Sequence, residues 1–261
     1  MTSVISKDGT SIVYDQKGNG PAVILVDGAF CSKDFGPMPK IVPLLSQKFR
    51  VISYDRRARG ASGDTKPYAV EREIEDIEAL IDMAGGTAFL FGISSGAILS
   101  IKAVAYGLNI DRLALLEPPF VGNVKQKRPS NSVEQLKQMI SEGRKGDAVN
   151  FYLRKVMGMP VFITWILRLT PNWSKMKANA NSLPYDATVC GDFNLPFKLI
   201  NKKLTIPTIV IDSSKSPKML REAVQSVAEI LPNGQRITLS GAIHEVPPKI
   251  LVPVLTDFYN K

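Results

Sequence analysis

The sequence predicts an α/β fold in which a mostly parallel sheet is flanked by helices. Apolar runs of strand length alternate with amphipathic helical patterns along most of the chain. These runs are nearly continuous in Val, Ile and Leu, as expected of strands that are buried on both faces. The 261-residue chain is 44% hydrophobic and 22% charged, which is typical of a globular protein with a sizeable core.

The elements follow in chain order from these patterns. The predicted strands are Ser11–Asp15, Ala22–Val26, Arg50–Tyr54, Ala88–Ile93, Leu113–Leu116, Thr208–Ile211 and Arg236–Leu239. The predicted helices of the same region are Lys40–Lys48, Glu71–Met83, Ser95–Tyr106, Lys218–Leu231 and Pro248–Tyr259. Pro217 and Pro248 stand where the last two helices would begin, a position that tolerates a missing N–H.

The alternation breaks between Val121 and Lys203. Short helices are predicted there instead, at Val133–Ser141, Asp147–Val156, Val161–Leu169 and Trp173–Asn179, after a polar stretch at Asn123–Asn131. We therefore expect a core formed by residues 1–120 and 204–261, with a helical cap formed by residues 121–203. The apolar run at 160–167 would either line a substrate tunnel or pack the cap against the core.

The predicted cap carries the whole charge excess of the chain. Residues 121–203 hold 14 Lys or Arg and 5 Asp or Glu, a difference of +9, whereas the rest holds 19 of each. Such an asymmetry attracts anionic ligands or surfaces, although a solvated helical face also accounts for it. The substrate expected from these patterns is a small molecule of anionic or apolar character.

Several classes of protein are not indicated by the sequence. The N-terminal residues contain no apolar leader, and the longest uncharged apolar run, 156–167, is too short to span a bilayer. Cys31 and Cys190 are too few for a disulfide framework, which favours a reducing, cytoplasmic location. We expect no stable membrane insertion, and the pattern leaves the oligomeric state open.

Cofactor, metal and nucleic-acid sites are likewise not expected. No Gly-x-Gly-x-x-Gly follows a strand, and no His/Cys group has metal-ligand spacing. The basic run 56–59 is short and is weak evidence for nucleic-acid binding. Cys31 has no second histidine to activate it and is expected to be a structural thiol.

A candidate nucleophile stands out at Ser94. It lies in Gly92-Ile-Ser94-Ser-Gly96, between a predicted strand and a predicted helix rich in small residues. A sharp strand-to-helix turn of this kind holds a serine hydroxyl above the sheet. The chain has a single histidine, His244, in the loop after the last predicted strand, where ligand crevices of open α/β sheets form. Histidine is the side chain best suited to take the serine proton near neutral pH.

These features resemble the α/β-hydrolase fold over essentially the whole chain. The similarity is greatest to small bacterial hydrolases with the motifs seen here at 26–29, 54–57, 94–97 and 117–119. The resemblance implies an eight-stranded sheet with the cap inserted after strand 6. It also implies an oxyanion hole built from the backbone N–H groups of Ala29 and Ser95, whose side chains should matter little.

The acid of the triad is the main departure from that family. An Asp is common after the seventh strand, in a pattern like Gly-x-x-Asp-Pro, but Ser216 stands in its place. Some members supply the acid after the sixth strand, which is the position of Glu117. Asp212 is the alternative acid. Ala58 also replaces a glycine of the turn after the strand at 50–54, so we expect a different backbone conformation there.

The function expected from the resemblance is that of a cofactor-free serine hydrolase acting on a small carboxylic ester or lactone. Ser94 would form an acyl-enzyme, His244 would move the proton, and Glu117 would orient His244. The alternatives are a carbon–carbon bond hydrolase or a cofactor-free perhydrolase on the same triad, or a catalytically weak ligand-binding protein of this fold.

Overall fold

The computed structural model describes residues 1–121, 129–194 and 204–261, and within these ranges a single sheet forms the centre. Its strands are β1 (Thr2–Ile5), β2 (Ser11–Lys17), β3 (Ala22–Val26), β4 (Arg50–Tyr54), β5 (Ala88–Ile93), β6 (Ile110–Leu116), β7 (Thr208–Ser213) and β8 (Gly234–Leu239). Their spatial order is β1-β2-β4-β3-β5-β6-β7-β8. The strands β1, β2 and β4 pair antiparallel, and all other pairs are parallel. The predicted mostly parallel sheet is therefore confirmed.

In the described ranges, five helices flank this sheet on its two faces. They are α1 (Met38–Leu45), α2 (Val70–Met83), α3 (Ser95–Tyr106), α9 (Lys218–Ile230) and α10 (Pro248–Tyr259). Helices α2, α3 and α9 pack on one face, where Ile77, Leu99 and Val224 are fully buried. Helices α1 and α10 pack on the other face through residues such as Ile41 and Leu255. All five were predicted, with boundaries that differ by three residues at most.

Five further helices lie in the described residues between β6 and β7. They are α4 (Ser132–Ser141), α5 (Lys145–Phe151), α6 (Val161–Arg168), α7 (Asn172–Ala178) and α8 (Leu183–Cys190). A π-helical turn at Tyr152–Val156 extends α5. We call these five the inserted helices. The predicted polar stretch at Asn123–Asn131 lies largely outside the described residues, and so does residue 203, at which the predicted cap ends; residue 121, at which it begins, is described.

Two elements of the structure were missed by the sequence prediction: helix α8 and strand β1. Every residue of α8 except Thr188 is buried or nearly so, and the helix therefore shows no amphipathic period. Strand β1 has the opposite character, because it is a short edge strand whose residues are mostly exposed. Both depend on tertiary contacts that no local pattern reports.

Candidate active site

Ser94 occupies a sharp turn between β5 and α3. Its backbone is in the left-handed region, with φ of 56° and ψ of −123°. A side chain at Gly92 would overlap Ser100 and the backbone of α3, and one at Gly96 would overlap the carbonyl oxygens of Val26 and Asp27. The two glycines thus allow β5 and α3 to meet this closely, which places Ser94 at the carboxyl edge of the sheet.

Glu117 and His244 lie together at the same edge. Glu117 directly follows β6, and its Oε2 lies 2.6 Å from Nδ1 of His244. The carboxylate is fully buried, whereas the imidazole side chain is 32% exposed. The other carboxylate oxygen, Oε1, accepts a hydrogen bond of 2.8 Å from the backbone N–H of Ser213. The carboxylate is therefore fixed on both sides, and one of its oxygens is directed at the imidazole.

Ser216 has a different role from the acid that its position suggested. Its hydroxyl oxygen accepts a hydrogen bond of 2.9 Å from the backbone N–H of His244. The loop that carries His244 is closed by an antiparallel β-bridge between Ala242 and Glu245. The side chain of Ser216 therefore contributes to positioning the histidine loop through the backbone.

Asp212, the alternative acid, is engaged elsewhere. It is fully buried at the end of β7, where its two carboxylate oxygens accept hydrogen bonds from Arg236 at 3.1 and 2.8 Å. Thr238 donates a third at 2.8 Å. Of the two candidate acids, the structure brings Glu117, and not Asp212, into hydrogen-bond distance of His244.

The loop after β3 lies against the nucleophile. A methyl group on Gly28 would come within 3.0 Å of Cβ and 3.7 Å of Oγ of Ser94. The next amide along the loop is that of Ala29, and Ser95 is the first residue of α3, whose N–H has no partner within the helix. Neither amide donates to another residue in the three described ranges. Both N–H groups are thus free to bind an anion beside Ser94.

Three buried arginines follow β4, and two of them, Arg56 and Arg59, bind carbonyl oxygens of this loop. Arg56, Arg57 and Arg59 are at most 2% exposed, so the basic run of the sequence is not a surface patch. Arg56 forms two hydrogen bonds with Glu73, at 2.7 and 2.9 Å. Arg57 pairs with Asp76 and Asp8 on the side of α2 and the β1–β2 turn. Buried guanidinium groups require such carboxylate partners, because burial without them is costly.

Asp186, on the inserted helix α8, joins this arginine cluster to the nucleophile turn. Its carboxylate accepts hydrogen bonds of 2.7 Å from Arg59, 2.9 Å from Arg56 and 2.8 Å from the hydroxyl of Ser95. Asp186 is completely buried. The side chain of Ser95, which we predicted to matter little, is therefore part of a buried polar network.

Two further groups lie at the loop after β3. Asp27 is 3% exposed, and burial raises its pKa to about 8, although the neighbouring Arg59 and Arg56 act in the opposite direction. Burial also raises the pKa of the Cys31 thiol, and the nearby Asp27 adds to this effect. A thiol with a raised pKa is a poor nucleophile at neutral pH, in keeping with a structural role for Cys31.

Left-handed backbone is concentrated at this site. In the described part of the chain, six residues other than glycine have positive φ, among them Ser94 (56°), Glu117 (48°) and His244 (55°). Phe30, at 67°, follows Ala29 directly. Ala58 also has positive φ, at 63°, and therefore adopts a backbone region that favours glycine. The substitution thus leaves Ala58 strained.

Comparison with known proteins agrees with this geometry. A model of the alpha/beta hydrolase family matches residues 23–242, which is most of the chain. The chain belongs to the alpha/beta hydrolase family. An alpha/beta hydrolase from Sphaerobacter thermophilus is 43% identical to this chain and superposes with a TM-score of 0.92. The alignment covers 99% of this chain and 100% of the other.

More distant members of the fold have named activities. An esterase from Exiguobacterium antarcticum is 17% identical, with a TM-score of 0.75, and the alignment covers 100% of this chain and 99% of the esterase. An enol-lactonase from Burkholderia xenovorans is 19% identical, with full coverage of both chains and a TM-score of 0.71. The chain spans 35% of the length of the uncharacterized hydrolase YraK of Bacillus subtilis, to which it is 30% identical over 97 residues. At these identities the two named enzymes support the fold, and the family membership supports a hydrolase.

Proposed function

We propose that this protein is a serine hydrolase that cleaves a small carboxylic ester or lactone through an acyl-enzyme on Ser94. The observation that carries the proposal is the 2.6 Å pairing of the buried Glu117 carboxylate with Nδ1 of His244, the only histidine of the chain. A carboxylate on Nδ1 holds the proton there and leaves Nε2 as the acceptor that a general base needs.

The first half of the reaction forms the acyl-enzyme. His244 takes the proton of the Ser94 hydroxyl as its oxygen attacks the substrate carbonyl carbon, and the carbonyl oxygen becomes an oxyanion. The N–H groups of Ala29 and Ser95 would bind this oxyanion, and the N-terminus of α3 adds a favourable dipole. His244 then gives its proton to the leaving alcohol as the ester bond breaks.

The second half repeats these steps with water. His244 removes a proton from a water molecule that attacks the acyl carbon, and the same amides bind the second oxyanion. When this intermediate collapses, Ser94 leaves with a proton from His244 and the carboxylic acid is released. No cofactor enters this sequence of steps. The inserted helices, which touch the oxyanion region through Asp186, would act as a cap over the substrate.

Labelling with a fluorophosphonate probe tests the proposal most directly. Wild-type protein should be labelled on Ser94, whereas Ser94→Ala and His244→Ala should not be. The labelled protein should also lose its turnover of p-nitrophenyl acetate and of small lactones. Absence of an adduct on Ser94 in folded wild-type protein would contradict the proposal and favour a ligand-binding member of the family.

A further inference from the structure

The peptide unit between Gly28 and Ala29 is held by a buried arginine. Nη1 of Arg59 donates to the carbonyl oxygen of Gly28 and, at 3.1 Å, to that of Cys31. In a trans peptide the carbonyl and the following N–H point in opposite directions. Anchoring the Gly28 carbonyl on Arg59 therefore turns the N–H of Ala29 the other way, away from the guanidinium.

Arg59 is in turn held by the inserted helices. Its Nη2 donates to both carboxylate oxygens of Asp186 at 2.7 Å, and its Nε donates to the hydroxyl of Ser182 at 2.8 Å. Arg56, bound to the same carboxylate, donates to the carbonyl oxygen of Asp27 at 3.1 Å. Two successive carbonyls of the loop are thus bound to guanidinium groups, and a single carboxylate from helix α8 fixes both of those groups.

We propose that Arg59 and Asp186 are positioning residues for the oxyanion hole. Asp186 orients Arg59, Arg59 holds the Gly28–Ala29 peptide with its N–H available beside Ser94, and the hydroxyl of Ser95 ties Asp186 to the second donor. The inserted helices are then part of the machinery that stabilises the oxyanion. This inference rests on the proposed serine hydrolase function.

Arg57 provides a matched control for Arg59. It is equally buried, is two residues away and also pairs with a carboxylate through two hydrogen bonds, in this case to Asp76. Its remaining partners are Asp8 and the carbonyl oxygen of Arg72. Loss of the guanidinium at position 57 should therefore lower stability without changing the oxyanion loop.

The experiment compares Arg59→Lys with Arg57→Lys. A lysine keeps the positive charge but cannot bind Gly28, Asp186 and Ser182 together. We expect Arg59→Lys to lower kcat about 10²-fold with KM nearly unchanged, the effect of losing one oxyanion donor. Its affinity for an alkyl boronic acid, which places an oxygen in the oxyanion hole, should fall by a similar factor. Arg57→Lys should retain wild-type kcat and boronate affinity.

The outcomes separate this inference from the proposed function. Equal losses of kcat in Arg59→Lys and Arg57→Lys, or a loss in KM alone, would overturn the positioning role while leaving the hydrolase intact. Wild-type protein that neither turns over esters nor labels on Ser94 would overturn the function itself. Should Arg59→Lys not fold, Ser95→Ala removes the hydroxyl that donates to Asp186 at 2.8 Å and accepts from Arg56 at 3.4 Å. It should lower kcat about fivefold with KM unchanged, and unaltered kcat would contradict the proposal.

An independent feature, on helix α6, is an exposed apolar stripe. Its members share one side of the helix, at spacings of one and four residues, and are 53–71% exposed: Val161, Phe162, Trp165, Ile166 and Leu169. Thr164, on the opposite side, is 2% exposed. A contiguous exposed patch that contains Trp and Phe is unusual for a surface that contacts only water.

The segment of chain that carries this stripe has charges of a single sign, although Asp147 of α5 lines the same surface pocket as Arg168 and Lys177. Residues 150–185 contain five Lys or Arg and no Asp or Glu. These are Arg154, Lys155, Arg168, Lys175 and Lys177, and none of them forms an ion pair within the described ranges. Lys155, Arg168 and Lys175 are exposed. A two-fold dimer through α6 would bring these cations together, which disfavours a second copy as the occupant.

We infer that α6 docks on an anionic lipid surface. An interfacial helix needs Trp, Phe or Leu on the side that enters the headgroup region and Lys or Arg beside it, and both are present here. The helix would lie in the plane of the surface. No helix in the described part of the chain is long and apolar enough to cross a membrane. Docking would bring the inserted helices, and hence the candidate site, next to lipid.

Sedimentation with vesicles tests this surface. Wild-type protein should bind phosphatidylglycerol–phosphatidylcholine vesicles in 50 mM salt and bind them at least tenfold more weakly in 500 mM salt. It should not bind vesicles of pure phosphatidylcholine. Trp165→Glu should abolish binding. Tyr106→Glu makes the same charge change at an aromatic residue that is 49% exposed on α3, and should not affect binding. Binding that is independent of lipid charge, equal loss in both variants, or a dimer that Trp165→Glu dissociates would overturn the inference.

Discussion

Replacing Glu117 by Gln should inactivate the protein with little change in its shape. Oε1 of Glu117 accepts from the N–H of Ser213, so the carbonyl oxygen of the glutamine must face Ser213 to keep that bond. Its NH₂ group then faces Nδ1 of His244 and donates to it. Nδ1 becomes the acceptor, and the proton of the neutral imidazole moves to Nε2. His244 can no longer accept the proton of Ser94.

The expected loss follows from this change of tautomer. A wrong tautomer in a serine triad lowers kcat about 10⁴-fold. At 1.36 kcal/mol for each factor of ten, this is about 5 kcal/mol of transition-state stabilisation. The measurement is kcat and KM for p-nitrophenyl acetate at pH 7.5, with thermal unfolding to establish that the variant is folded. KM should change little, because Glu117 does not contact the substrate.

Asp212→Asn is the matched control, since Asp212 is also a fully buried carboxylate at the end of a neighbouring strand. It binds Arg236 and Thr238, so its replacement should cost on the order of 1–3 kcal/mol of stability and leave kcat within a few-fold of wild type. A Glu117→Gln variant that stays within tenfold of wild type would refute this reasoning. So would an equal loss of kcat in Asp212→Asn.

Three more predictions concern residues around the site. Burial raises the folded-state pKa of Asp27 to about 8, so its contribution to stability is complete below pH 4 and is lost as the pH rises to 8. The free energy of unfolding of wild type, measured in urea, should therefore fall between pH 5 and pH 8 by on the order of 1–3 kcal/mol, and that of Asp27→Asn should fall less; parallel curves would contradict this. Gly96→Ala should destabilise the fold by roughly 1–3 kcal/mol or more, because its methyl group would overlap the carbonyls of Val26 and Asp27; an unchanged melting temperature would count against it. Ala58→Gly should relieve a left-handed backbone and stabilise by up to about 1 kcal/mol with unchanged kcat, whereas a lower melting temperature would show that Ala58 is unstrained.

The sequence predicted those features that a local pattern encodes. The strands from β2 to β8 and the turn at Ser94 each follow from a few consecutive residues, whereas Glu117 was expected from the resemblance to family members that supply the acid after the sixth strand. The two residues of the Arg59–Asp186 pair are 127 positions apart, and neither lies in a motif that names the other. The basic run 56–59 gave only weak evidence for nucleic-acid binding, and its composition cannot tell an exposed arginine from one that folding pairs with a distant carboxylate.

The positive φ angles at Ser94, Glu117 and His244 have a consequence for anyone who engineers this protein. Each left-handed residue other than glycine costs on the order of 1–3 kcal/mol, which the rest of the fold must offset. A search for stabilising substitutions guided by backbone preference would therefore recommend glycine at the three positions on which activity is proposed to depend. Thermostable variants selected without an activity screen should accumulate changes there. Their higher melting temperatures would then be accompanied by loss of activity.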